Sequence, residues 1–118
     1  KMQLALAGHL QPLWIAESGF GNCPQINGIS LGITPDVRYE KKEILLSPGE
    51  SILFFSDGVI EAENEDNELF GNERLIDFIK DAKGPPWGSG LLDFISNWRG
   101  NCSASDDLTI LEIWRDSE

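Results

Sequence analysis

The chain has 118 residues, with 20 acidic against 9 basic side chains, 41% hydrophobic and 25% charged residues and a formal charge of -11. That length allows one core that buries about two-thirds of the unfolded surface, enough to fold without staples. The charge excludes phosphate-backbone binding, which needs clustered Lys and Arg, and the longest apolar runs are four residues, against the roughly 20 of a membrane span.

Gln3-Leu4-Ala5-Leu6-Ala7 and Pro12-Leu13-Trp14-Ile15-Ala16 are apolar segments around Gly8-His9-Leu10-Gln11, a pattern that predicts a hairpin with its turn at 8–11. Four glycines and a proline between Glu17 and Gly32 predict a loop with one irregular strand. Ser47-Pro48-Gly49-Glu50 lies between Ile44-Leu45-Leu46 and Ser51 to Phe55 and predicts a type II turn in a second hairpin, because Gly49 accepts a positive φ.

The period then changes. Leu75, Ile76, Ile79 and Ala82 share one helical face, which predicts a helix over 72–83 with Asn72 as N-cap and Gly84-Pro85 as the stop. Leu91, Phe94, Ile95 and Trp98 predict a second helix over 89–99, capped by Ser89 and ended by Gly100. After a polar loop from Asn101 to Asp107, the run from Leu108 to Trp114 predicts a last strand. The expectation is a mixed α/β (α+β) domain: an antiparallel sheet of five or so strands with both helices on one face. Among the tryptophans, Trp14, Trp98 and Trp114 read as packing residues, and Trp87, after Pro85-Pro86, as the one free for a partner.

Asp57 stands where an apolar strand ends and Gly58 permits a sharp turn, and Asp106 and Asp107 precede the last strand in the same way. Two strand ends thus offer carboxylates that could converge on one hard cation. One histidine and two distant cysteines cannot furnish zinc, whereas carboxylate oxygens suit magnesium or manganese. His9 reads as a turn residue rather than a triad member, since no Gly-x-Ser-x-Gly elbow occurs. Phe54 to Ile60 is similar to the strand-terminal motif of haloacid dehalogenase phosphatases, but Phe55 occupies the place of their nucleophilic aspartate. The acids Glu61, Glu63, Glu65, Asp66 and Glu68 lack the glycine of a calcium loop and read as a solvated loop. Cys23 and Cys102, 79 positions apart, read as reduced thiols of a cytoplasmic protein, with a single disulfide as the alternative. No signal-peptide h-region follows Lys1-Met2. The acidic surface suits a basic protein partner or divalent cations, and equally a solvated surface that maintains solubility.

Several stretches together resemble the SpoIIE/RsbU-like branch of the metal-dependent, PPM-type serine/threonine protein phosphatases of bacteria. They are Ala7-Gly8-His9 with Pro12-Leu13, Gly28-x-x-Leu31-Gly32-Ile33 and Leu46-x-Pro48-Gly49-Glu50. The most specific are Ser56-Asp57-Gly58-Val59-Ile60-Glu61-Ala62 with Phe70-Gly71-x-Glu73-Arg74-Leu75, and Asp106-Asp107-Leu108-Thr109-Ile110-Leu111. The resemblance implies an antiparallel β-sandwich flanked by helices, with a binuclear Mn2+ or Mg2+ centre at one edge. It implies phosphoserine or phosphothreonine hydrolysis by metal-bound water, on a regulatory protein such as an anti-sigma-factor antagonist. By position, Asp57 and Asp106 match two metal-ligand aspartates, with Asp107, Gly58 and Thr109 as supporting positions behind them.

The family's N-terminal acid cluster has no counterpart before Ala7, so residues 1–118 are expected to form one domain equivalent to the C-terminal part of the phosphatase domain, inactive alone. Apolar sheet surface should then be uncovered, favouring a homodimer. The alternative function is a non-catalytic interaction or dimerisation scaffold. The expectation with the sharpest geometry brings the Asp57 and Asp106 carboxylates within one cation's reach, roughly 3 to 5 Å apart.

Overall fold

The computed structural model describes residues 1–16, 19–20, 23–82, 84–103 and 106–117. Positions 17–18, 21–22 and 104–105 of the expected loops, and position 83 of the expected first helix, lie outside the described residues. The strands are β1 (Met2–Leu4), β2 (Leu13–Ala16), β3 (Gly19–Phe20), β4 (Lys42–Ile44), β5 (Ser51–Phe55) and β6 (Ile110–Trp114). The helices, between β5 and β6, are α1 (Asp57–Ile60), α2 (Gly71–Asp81) and α3 (Gly88–Arg99).

All pairings are antiparallel, but the strands divide into two sheets, β1-β4 and β3-β2-β5-β6. From Ile52 to Phe55 strand β5 is apolar without interruption because both its faces are covered. Leu53 and Phe55 join Ile15, Val59, Leu75, Ile79, Leu91 and Ile95 in a core under the helices. Ile52 joins Leu4, Leu6, Ile26 and Ile44 in a second core between the sheets, where Phe54 and Trp14 also pack. The layers are therefore sheet, sheet and helices, in a slab of 44 × 43 × 18 Å.

Both expected hairpins are corrected. Strand β1 pairs with β4, and β2 pairs with β3 and β5, so residues 5–12 carry the chain from one sheet to the other. Pro12 has no N–H to give a ladder, and the crossing is tied elsewhere. Gly8, at φ +74°, donates to Gly28 O at 2.8 Å, and the Gln11 amide bonds both the N–H and the carbonyl of Ile26. The type II turn at 47–50 does form, with Glu50 N donating to Ser47 O at 3.0 Å and Gly49 at φ +84°. It too is a crossing between sheets, since β4 and β5 belong to different ones. The Glu50 carboxylate fastens it by accepting from Ser47 N and from Trp14 Nε1.

Neither long helix uses its expected cap. Asn72 lies inside α2, whose preceding residue, Phe70, offers no side-chain cap. Ser89 lies inside α3, and the donors at that helix start are met from β6: Glu112 accepts from Trp87 N at 2.9 and 3.0 Å and from Gly88 N at 3.2 Å. Trp87, expected to be free, is 5% exposed within the helix-side core, whereas Trp114 is 44% exposed. Replacing Glu112 with alanine is expected to cost about 1–2 kcal/mol, since a charged cap at partly buried donors is lost. Urea denaturation should show the lower midpoint with an unchanged slope.

Phe70-Gly71-x-Glu73-Arg74-Leu75 is a packing device. Phe70 is fully buried and meets Phe94 and Trp98 edge-on at 5.8 and 5.4 Å. Gly71 takes φ +74°, and Arg74 bonds the carbonyls of Leu69 and Phe70 while lying over the Trp98 ring at 4.9 Å. Cys23 and Cys102 are free thiols, and burial pushes the Cys23 thiol up. Among the described residues, no helix is long and apolar enough to cross a membrane.

Candidate functional site at the sheet edge

Strands β5 and β6 are neighbours, and their ladder ends at the pair Phe55 and Ile110. The chain leaving β5 through Ser56 and Asp57 and the chain entering β6 from Asp106 to Thr109 therefore share one sheet edge. Their backbones stay joined beyond the ladder. Ser56 N donates to Thr109 O at 3.0 Å, and Thr109 N donates to Ser56 Oγ at 2.9 Å, the hydroxyl standing where a carbonyl would be. The same hydroxyl donates to Asp107 O at 3.4 Å.

Asp57 opens the single-turn helix α1, where Val59 N returns to Ser56 O and Glu61 N to Asp57 O. Val59 is fully buried and anchors the turn, while Asp57 is exposed. Gly58 lies directly against the incoming strand: a Cβ added there would sit 2.2 Å from Asp107 O and 3.0 Å from Asp107 C. Close backbone approach, not a special φ, requires glycine here.

Asp106 and Asp107 are exposed. Asp106 Oδ1 accepts the N–H of Asp107 at 2.7 Å, which orients its carboxylate, whereas Asp107 contributes its carbonyl to Ser56 and Gly58. A crevice of about 10 Å³ beside Asp106 is lined by Gly58, Glu63, Arg99 and Leu108 as well. Glu63, a loop acid by sequence, is placed near Asp106 by the fold, and no local signal marks it. The Ser56 clamp leaves one trace in the sequence, a hydroxyl residue just past a strand end. His9 is exposed, with Nδ1 donating to Leu10 O at 2.8 Å and the ring edge-on to Phe54, as suits a turn residue.

Carboxylate oxygens suit a hard divalent ion in kind. In number they fall short, for the described residues contain no group of three or more His, Cys, Asp or Glu side chains able to hold a metal. The residues present are at most part of a metal site.

Two layered antiparallel sheets with helices on the outer face, and two aspartate-bearing strand ends at one edge, define an α+β sandwich domain with a carboxylate-bearing rim. A family model for stage II sporulation protein E (SpoIIE) matches residues 1–116, and the chain belongs to that family. It is 28% identical over 117 residues to Protein IcfG of Synechocystis sp., covering 92% of this chain and 18% of that protein. The SiaA-PP2C domain of Pseudomonas aeruginosa shares the fold, with a TM-score of 0.73 and 24% identity over 97% of this chain and 47% of that one. So does a structure of the RsbU and RsbW domains of Rv1364c from Mycobacterium tuberculosis, with a TM-score of 0.71 and 23% identity over 98% of this chain and 32% of that one. The chain spans less than half the length of each of these relatives.

Proposed function

We propose that the complete protein is a metal-dependent phosphatase that hydrolyses phosphoserine or phosphothreonine on a bacterial regulatory protein, such as an anti-sigma-factor antagonist, in the cytoplasm. Asp57 and Asp106 serve as oxygen ligands of a Mn2+ or Mg2+ ion, and the remaining donors come from outside the described residues. Gly58, Asp107 and Thr109 hold the two ligand segments together. A divalent ion so placed supplies water activation and charge neutralisation on a phosphoryl group. One observation carries the reading: in a SpoIIE-family chain, the backbone clamp between Ser56 and Thr109 joins the two aspartate-bearing segments.

A scaffold is the second reading. It is favoured by an apolar groove of about 360 Å³ between the sheets, lined by Leu4, Leu6, Phe54 and Leu111, the last 56% exposed. Manganese-dependent hydrolysis of a phosphoserine peptide should be measured on this chain and on one extended to the length of a whole PP2C domain. Turnover by the longer chain alone is the expected result. Turnover by neither, with dimers in sedimentation, would replace the phosphatase reading by the scaffold.

A further inference from the structure

A third chain segment reaches the aspartate edge, and it brings the one histidine of the sequence. Strand β2 starts at Leu13, opposite Leu53 of the antiparallel β5, so the chain that enters β2 comes from the end of β5 at which Asp57 stands. His9 lies on that entering chain. It lines the groove of about 360 Å³ together with Ser56 and Thr109, the two residues that clamp the aspartate-bearing segments. Phe54, also in the groove, meets the imidazole edge-on, with ring centroids 6.3 Å apart.

The crossing between the sheets holds this ring in place. Leu6 is buried in the core between the sheets and Leu10 packs against the core under the helices, so the residues between them are tied at both ends. Gly8 donates to Gly28 O at 2.8 Å, and its backbone lies so close to Ser30 that an added Cβ would stand 2.2 Å from Ser30 Oγ. His9 itself is exposed, and its Nδ1 donates to Leu10 O at 2.8 Å. A carbonyl only accepts, so the proton on Nδ1 is committed and Nε2 is the nitrogen left to exchange one. Among the described residues, no hydrogen bond engages Nε2. An imidazole oriented by backbone at one nitrogen and open at the other is built to carry a proton.

We infer that His9 is the proton donor to the departing serine or threonine oxygen, an assignment that rests on the phosphatase reading. An alkoxide is a poor leaving group, whereas a hydroxyl departs readily, so a donor positioned at that oxygen lowers the barrier. As water adds to phosphorus and the bond from phosphorus to the side-chain oxygen breaks, that oxygen takes the proton from Nε2 of the imidazolium. The water leaves its oxygen and one proton on inorganic phosphate, and its other proton restores the imidazolium. The ring therefore ends as it began. A histidine that only shaped the turn would affect every phosphate ester alike.

The test compares a phosphoserine peptide with 4-nitrophenyl phosphate, whose phenolate departs without a proton, on a chain extended to the length of a whole PP2C domain with manganese present. His9→Gln should lower kcat for the peptide by about 100-fold, the size of a general-acid contribution, with KM changed little. For 4-nitrophenyl phosphate the loss should stay under about fivefold, since that leaving group needs no acid. In the 118-residue protein, His9→Gln should keep the melting temperature within about 2 °C, because substitutions at exposed positions cost little. Equal losses on the two substrates, or full peptide turnover in His9→Gln, would overturn the inference while leaving the phosphatase reading intact. Turnover of neither substrate by the unaltered chain would end the phosphatase reading itself, and the inference with it.

Discussion

Gly58→Ala is expected to lower the melting temperature by about 10 °C, the equivalent of about 2 kcal/mol in a domain of this size. Helix propensity alone predicts the opposite sign, since alanine is favoured over glycine inside a helix by about 1 kcal/mol. The close approach decides. A methyl group 2.2 Å from Asp107 O meets backbone, not the end of a flexible side chain, so the segments must part by about an ångström to reach ordinary contact. That displacement stretches the 3.0 and 2.9 Å hydrogen bonds between Ser56 and Thr109 and frees Val59 from its anchorage. Differential scanning calorimetry reads the shift, and an unchanged melting temperature would show that the edge is looser than these distances say.

The second large effect is chemical. In a chain extended to the whole domain, Asp57→Asn is expected to lower manganese-dependent phosphopeptide hydrolysis by at least about 100-fold. Loss of groups that merely support a metal ligand already costs about 10–100-fold, and a ligand should cost more. Stability without metal should change by no more than about 0.5 kcal/mol, because Asp57 is exposed. The distinguishing readout is the stabilisation added by manganese, about 2.7 kcal/mol at a hundredfold excess over the dissociation constant, which Asp57→Asn should abolish. Gly58→Ala loses stability with or without metal, so the two variants separate a ligand from a structural support. Asp106→Asn should behave as Asp57→Asn does, and Asp107→Asn far more mildly, since the backbone carbonyl of Asp107 makes the contacts at this edge. Full turnover in Asp57→Asn would end the metal-ligand assignment.

Much of this is legible in the amino-acid sequence. The 3.6-residue spacing of Leu75 and Ile79, and of Leu91 and Ile95, located both long helices, because periodic apolar residues have to share one buried face. Pro48-Gly49 declared its turn, since few other pairs suit those dihedral angles. The placement of Asp57 and Asp106 beside strand ends followed from where the apolar runs stop. The SpoIIE-like motifs, spread from Ala7 to Leu111, carried the family.

The tertiary structure alone decided which strands pair. Residues 3–7 and 12–16 satisfy a hairpin locally, yet β1 pairs with β4, some 40 positions on, because burial against Ile26 and Ile44 outweighs the shorter loop. The cap of α3 comes from Glu112, after the helix in sequence, and Trp87 is buried because that carboxylate draws its backbone onto β6. Glu63 reaches the crevice beside Asp106 only when α1 and the entry to β6 come together. Local sequence states which side chains must leave water and where the backbone can turn. Which surfaces they leave it for depends on residues far along the chain, and burial is blind to sequence distance except through the slowly growing entropy of closing a loop.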